Sequence, residues 1–162
     1  MHDHRIEDFH AKFGVLVCSS TRSMENDESG TAIIKLLEKN GHEVSNYEIV
    51  KDDEAEIIKM VLKFINDADA VVISGGTGIT LRDVTVEAVA RIAEYEMKSF
   101  STIFSMLSFK EIGSSAMLSR ASAFVVHRKP DFCLPGNPDG ASLGIEELIL
   151  KEIDHIHHEL NR

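Results

Sequence analysis

The sequence predicts an α/β fold: three layers, αβα, with a mostly parallel sheet and helices on both of its faces. Three observations lead there. Short apolar runs alternate with amphipathic segments along the chain, the order that parallel βα units produce. The run Phe13–Cys18 is nearly all apolar, as a strand buried on both faces requires. Ala70–Ser74 passes directly into Gly75-Gly76-Thr77-Gly78, and in such sheets ligands sit beyond the carboxyl ends of the strands.

Each element follows in order. Phe13–Cys18 is the first strand, and the polar stretch Ser19–Asp27 is a loop. Ile33, Ile34, Leu36 and Leu37 mark a helix that Asn40-Gly41 closes with a left-handed cap. Val44, Tyr47 and Ile49 lie in a second strand, and Asp52-Asp53 head a helix with Ile57, Ile58, Val61, Leu62 and Ile65 at helical spacing. Ala70–Ser74 is the third strand. Thr85-Val86-Glu87-Ala88 reads as a helix start with Thr85 as its cap. Phe100–Phe109 and Ser114–Ala121 read as helices separated by Gly113, and Ala123–Val126 and Phe132–Leu134 as strands. A last helix begins between Asp139 and Ser142 and runs through Leu143, Leu148, Ile149, Ile153, Ile156 and Leu160.

Composition narrows the function classes. With 162 residues, 43% hydrophobic and 27% charged, the chain fits one globular domain over residues 1–162. The first 11 residues read as a mobile tail. The net charge of -10 argues against nucleic-acid or anionic-membrane partners, which need a basic face. A small phosphate ligand needs only a local patch of donors. No run approaches the ~20 apolar residues of a membrane span, and the N-terminus lacks a secretory pattern, so a cytoplasmic location is expected. Cys18 and Cys133 sit in apolar runs without a metal spacing, as buried free thiols do.

Three loops carry the candidate chemistry. In Ser74-Gly75-Gly76-Thr77-Gly78 the glycines permit positive φ and let amides converge on an anion, with Thr77 adding a hydroxyl. The loop is neither a Walker loop nor a dinucleotide fingerprint, since the Lys-Ser/Thr pair and the third spaced glycine are absent. Arg82 can neutralise phosphate, and Asp83 beside it can hold Mg²⁺. Asp52 stands on a second loop that sheet geometry can bring near; helix capping is the competing use for Asp52 and Asp53. Pro135-Gly136-Asn137-Pro138 forms a rigid turn before a helix N-terminus.

The order of these motifs resembles the MoaB/MogA family, which includes the gephyrin G domain. The resemblance spans Phe13 to about Leu150. It rests on Asp27-Glu28-Ser29-Gly30, Ser74–Gly78, Arg82–Ala88, Ser119-Arg120 and Leu134-Pro135-Gly136. Met106–Gly113 is most similar to the MoaB branch.

The resemblance implies molybdenum cofactor biosynthesis, with adenylylation of molybdopterin by Mg-ATP and release of pyrophosphate. It implies that Asp52 and Asp83 are catalytic and organise Mg²⁺ with the ATP phosphates. Ser74, Gly75, Gly76, Thr77, Gly78 and Arg82 would bind phosphate. Ser119, Arg120, Pro135, Gly136, Asn137 and Pro138 would line the pterin and nucleotide pocket. It further implies a homotrimer, or a hexamer, and handover of product to the molybdenum-insertion enzyme. No tightly bound organic cofactor is expected.

Departures from the family pattern are Lys51 before Asp52, Thr31 after Gly30, Ser99-Phe100-Ser101-Thr102 in place of Gly-Phe-Gly-Glu, and Ser105 in place of an arginine. The altered Ser99–Thr102 segment motivates an alternative: a molybdopterin-binding or scaffolding module without catalysis. His155, His157 and His158 read as a solvated helix end, and His2, His4 and His10 as part of the tail.

Overall fold

A computed structural model describes residues 9–162. Six strands form one sheet in the order β2-β1-β3-β6-β5-β4. They are β1 Lys12–Cys18, β2 Glu43–Val50, β3 Ala70–Ser74, β4 Tyr95–Glu96, β5 Ser122–Val126 and β6 Lys129–Leu134. β1, β2, β3 and β6 run parallel. β5 and β4 add an antiparallel edge.

Helices cover both faces, completing the expected three layers. On one face lie α1 (Glu28–Lys39), α4 (Lys98–Ile112) and the terminal helix. The latter comprises α5 (Pro138–Gly144), a π-turn at Ile145–Ile149 and α6 (Leu150–Leu160). Phe13, Val15, Ile33, Phe104, Phe132 and Ile145 pack into this layer's core. On the other face α2 (Glu54–Phe64) and α3 (Thr85–Ile92) close over Leu16, Ile57, Phe64, Ile73 and Val89. Burial of each such side chain stabilises the fold by about 1.5–3 kcal/mol.

Local chemistry sets the boundaries. Asp27 caps α1, accepting from the Gly30 amide at 2.9 Å, and Gly41 at φ +84° ends it as the expected left-handed cap. Asp53, not Asp52, caps α2, accepting from the Glu56 amide at 3.0 Å.

Several expectations are corrected. Thr85 does not cap α3: Val84 holds that position without a side-chain bond, and the Thr85 hydroxyl donates backwards to the Gly75 carbonyl at 2.8 Å. Ser114–Ala121 is not an α-helix. Gly113 at φ +66° ends α4, and Gly113–Leu118 winds as a short 3₁₀ turn, because Gly-Ser-Ser is a weak helix start. The last strand begins at Lys129 rather than Phe132, and Pro130 and Asp131 are wholly inside it. His127 and Arg128 form the β5–β6 turn at φ 49° and 64°, the left-handed conformation that two-residue hairpin turns need.

Of the expected tail, residues 1–8, with His2 and His4, lie outside the described residues. Residues 9–11 make contacts with the rest of the fold. Ala11 is fully buried, Phe9 stacks on His157, and His10 Nδ1 lies 2.6 Å from the Gly41 carbonyl.

Candidate functional site

The carboxyl ends of the four parallel strands, β1, β2, β3 and β6, all open on one side of the molecule. A cavity of about 1200 Å³ lies there, lined from each of the loops that follow them.

The loop after β3 is the floor. Gly75 and Gly76 adopt φ +97° and +69°. A Cβ on Gly75 would stand 2.3 Å from the Cys18 carbonyl oxygen, and one on Gly76 would stand 2.2 Å from Thr85 Oγ1. Only glycine fits either place. The loop is tied down by Gly75 N–H donating to the Leu134 carbonyl at 3.0 Å. Thr85 holds it from the other side through its hydroxyl on Gly75 and its amide on Gly76.

Asp83 stands at the edge of this floor. Its Oδ2 accepts from the Thr80 amide at 2.9 Å and the Thr80 hydroxyl at 2.7 Å. Burial raises its pKa, but the Thr80 and Gly78 donors and the Arg120 charge outweigh burial and hold the carboxyl below the usual range. Asp83 is therefore ionised at neutral pH. Asp52 enters from the loop after β2, where Asp53 has taken over helix capping. The Ser20 hydroxyl donates to Asp52 Oδ2 at 2.8 Å, joining the loops after β1 and β2.

The wall after β6 is fixed by a buried hydroxyl chain. Ser74 donates to the Pro135 carbonyl at 3.0 Å and lies 2.8 Å from the Ser29 hydroxyl at the start of α1. Asn137 caps α5, accepting from the Gly140 amide at 2.7 Å.

Asp52, Gly75, Gly76, Thr77, Gly78, Arg82, Asp83, Ser119, Pro135, Gly136 and Asn137 all line the cavity. Ser74, Arg120 and Pro138 stand behind the wall instead. Ser74 is fully buried in the hydroxyl chain, and Pro138 is the first residue of α5. Arg120 spends its guanidinium on the protein, donating to the Gly78 carbonyl (2.7 Å), the Asp83 carbonyl (3.0 Å) and Glu87. Its role is to hold the floor and Asp83 in register.

The rule that ligands sit beyond the strand ends points to the loop after Cys18 as well as those after Ser74 and Leu134, and Ser19–Arg22 of that loop line the cavity; Glu111 and Glu146, which no sequence signal marked, line it too. Glu111 and Glu146 reach the cavity from α4 and the π-turn, which no local pattern foretells. Cys18 lines the floor too, but burial pushes its thiol up to about 12, so it remains protonated and is no nucleophile. Cys133 is likewise a buried free thiol.

The lining carries six carboxylates (Asp52, Asp83, Glu111, Asp139, Glu146, Glu147) and two guanidiniums (Arg22, Arg82). A polyanion entering such a cavity needs cationic compensation. Asp52 and Asp83 offer hard oxygen donors of the type and number that Mg²⁺ takes when substrate phosphates supply further ligands. Among the described residues no helix is long and apolar enough to cross a membrane.

Residues 14–155 match the family model described as "Probable molybdopterin binding domain". The chain is 46% identical to molybdenum cofactor biosynthesis protein B of Bacillus cereus over 151 residues, covering 91% of this chain and 89% of that protein. It is 40% identical to the protein of the same name from Staphylococcus aureus, covering 93% and 92%. Among solved structures, a molybdenum cofactor biosynthesis protein B superposes with a TM-score of 0.92 at 44% identity over 95% of this chain and 98% of that one. The tungsten cofactor synthesizing protein MoaB from Pyrococcus furiosus superposes with a TM-score of 0.86 at 34% identity, over 94% and 98%. With a matching domain model over most of its length and relatives of this identity, the chain belongs to the MoaB family of molybdenum cofactor biosynthesis proteins.

Proposed function

We propose that this protein transfers AMP from Mg-ATP to molybdopterin in the cytoplasm, releasing pyrophosphate. The observation that carries the proposal is convergence. Asp52 and Asp83 come from loops after different strands and line one cavity with the glycine loop.

The chemistry is a displacement at phosphorus. A terminal phosphate oxygen of molybdopterin forms a bond to the α-phosphorus of ATP. The bond from that phosphorus to the bridging β-oxygen breaks, and pyrophosphate takes the electron pair. Both reactants are anions, so catalysis consists of positioning and charge neutralisation. Mg²⁺, when bound, would offset charge on the phosphates. Asp52 and Asp83 would hold it. The Gly75–Gly78 loop would orient phosphate oxygens, and Ser119 with Pro135–Asn137 would seat the organic portions.

The family-pattern departures at Ser99–Thr102 and Ser105 lie on α4, in the turns before Ser108, Glu111 and Ile112, which line the cavity. The Arg82-Asp83-Val84-Thr85 segment beside the glycine loop keeps the family pattern, which favours catalysis over the binding-only alternative. Exposed Ile103, Met106, Phe109, Ile112, Met117 and Leu118 make an apolar face along α4 and the 3₁₀ turn. Such a face marks an interaction surface and supports self-association; a homotrimer, or a hexamer, is the assembly that the family resemblance implies. Product handover to the molybdenum-insertion enzyme follows from the same reading.

The test is incubation with molybdopterin, ATP and Mg²⁺, followed by product analysis. Adenylylated molybdopterin and pyrophosphate in equal amounts are expected. Tight molybdopterin binding in calorimetry with no pyrophosphate release would establish the binding module instead.

A further inference from the structure

Three arginines surround the glycine loop, and they are not equivalent. The guanidinium of Arg120 commits four of its five N–H donors to the Gly78 and Asp83 carbonyls and Glu87. Arg82 is exposed at the rim. Arg22 is half-buried, lines the cavity, and was not singled out by sequence.

Its placement is fixed at both ends. At the root, Ser19 Oγ accepts from the amides of Thr21 (3.3 Å) and Arg22 (3.1 Å). Asn26 Oδ1 accepts from the next amide, Ser23, at 2.7 Å. At the tip, Arg22 Nη1 donates to the Gly136 carbonyl at 2.7 Å. Gly136 in turn lies against the phosphate-loop backbone, since a Cβ built on it would be 3.2 Å from Gly75 Cα. The carbonyl that anchors the guanidinium thus belongs to a residue packed against Gly75 of the positive-φ floor. A guanidinium has five N–H donors, and one is committed to the protein here. Among the described residues no carboxylate pairs with it.

We propose that Arg22 is the phosphate-binding cation of this cavity, clamping the Gly136 loop with one N–H and presenting the others to a phosphate oxygen seated on Gly75–Gly78. The inference rests on the nucleotide reading of the cavity. It adds a specific substrate contact: in a lining where carboxylates outnumber guanidiniums, a preorganised fork offsets phosphate charge without ordering a flexible side chain.

Calorimetry on the full chain with two probes, Mg-ATP and magnesium pyrophosphate, tests it. Arg22→Gln should weaken both by about 10- to 100-fold, the range for charge-assisted hydrogen bonds. Arg22→Lys should restore part of the loss, because the charge returns without the fork. Circular dichroism and Tm should stay near wild type in the lysine variant, which keeps the proposal testable if the glutamine variant fails to fold. Equal Mg-ATP affinity in wild type and either folded variant would overturn the role of Arg22 alone. Wild-type binding of pyrophosphate but not Mg-ATP, lost in Arg22→Gln, would uphold Arg22 and sink the nucleotide reading. Wild type binding neither probe would overturn both.

Discussion

Replacing Asp131 by asparagine should flatten the pH dependence of stability above about pH 4, the ordinary range for an unfolded aspartate. Asp131 lies inside β6, opposite Val71 on β3 and Phe124 on β5. It is fully buried, and neither carboxyl oxygen has a hydrogen-bond partner among the described residues. Burial raises its pKa well above the usual range, the negative charge of Glu94 adds to this, and Lys129 opposes it. In the folded protein the group therefore stays protonated at pH values where the unfolded chain has ionised. The unfolded state then binds fewer protons, and stability falls as pH rises, by about 1.4 kcal/mol per pH unit between the two pKa values. Below the unfolded pKa both states are protonated and the penalty vanishes. For a domain of this size each unit corresponds to roughly 3–6 °C in Tm. Carboxylates such as Asp83 and Glu87, held low by Thr80, Gly78 and Arg120 partners against the opposing effect of burial, act in the opposite direction. Their stabilisation is lost as pH falls, but they are common to both proteins and cancel in the difference. Urea denaturation of wild type and Asp131→Asn from pH 5 to pH 8 measures that difference directly. Parallel curves would refute a neutral buried carboxyl.

Other substitutions probe the site. Gly75→Ala forces a Cβ into the Cys18 carbonyl at positive φ; the conformation alone costs about 1–2 kcal/mol, so Tm should fall by at least 2 °C and Mg-ATP binding should be lost, as thermal melts and calorimetry would show. Arg120→Gln removes the positive charge that lowers the Asp83 carboxyl. The acidic limb of the pH–rate profile should shift to higher pH, and stability should fall by more than the roughly 1 kcal/mol at most of the partly exposed Glu87 pair, because the Gly78 and Asp83 carbonyls lose a charged donor as well. Phe109→Asp places a charge on the apolar face of α4 and should convert the proposed trimer to monomers in light scattering.

Much of this architecture was legible because its signals are local. Phe13–Cys18 and Ala70–Ser74 are apolar without interruption, and they are the buried strands β1 and β3. The glycine loop announced its own backbone requirement, and Gly75 and Gly76 do adopt positive φ. What escaped depends on partners distant in sequence. Arg120 resembled a pocket residue, yet its carbonyl partners at Gly78 and Asp83 are brought to it only by packing. Thr85 has a capping side chain but is drawn to the Gly75 carbonyl. Asp131 fell outside the expected strand because aspartate is depleted from strands; its place in β6 is imposed by pairing on both sides. The β4 edge is two residues long, too short for any period to register.

A crystal structure of the protein with Mg²⁺ and a non-hydrolysable ATP analogue would address the proposed metal–phosphate site most directly. The expected result is one octahedral ion at about 2.0–2.1 Å from oxygens of both Asp52 and Asp83, with phosphate oxygens on the Gly75–Gly78 amides. An ion held by neither carboxylate, or phosphates bound outside the glycine loop, would contradict it.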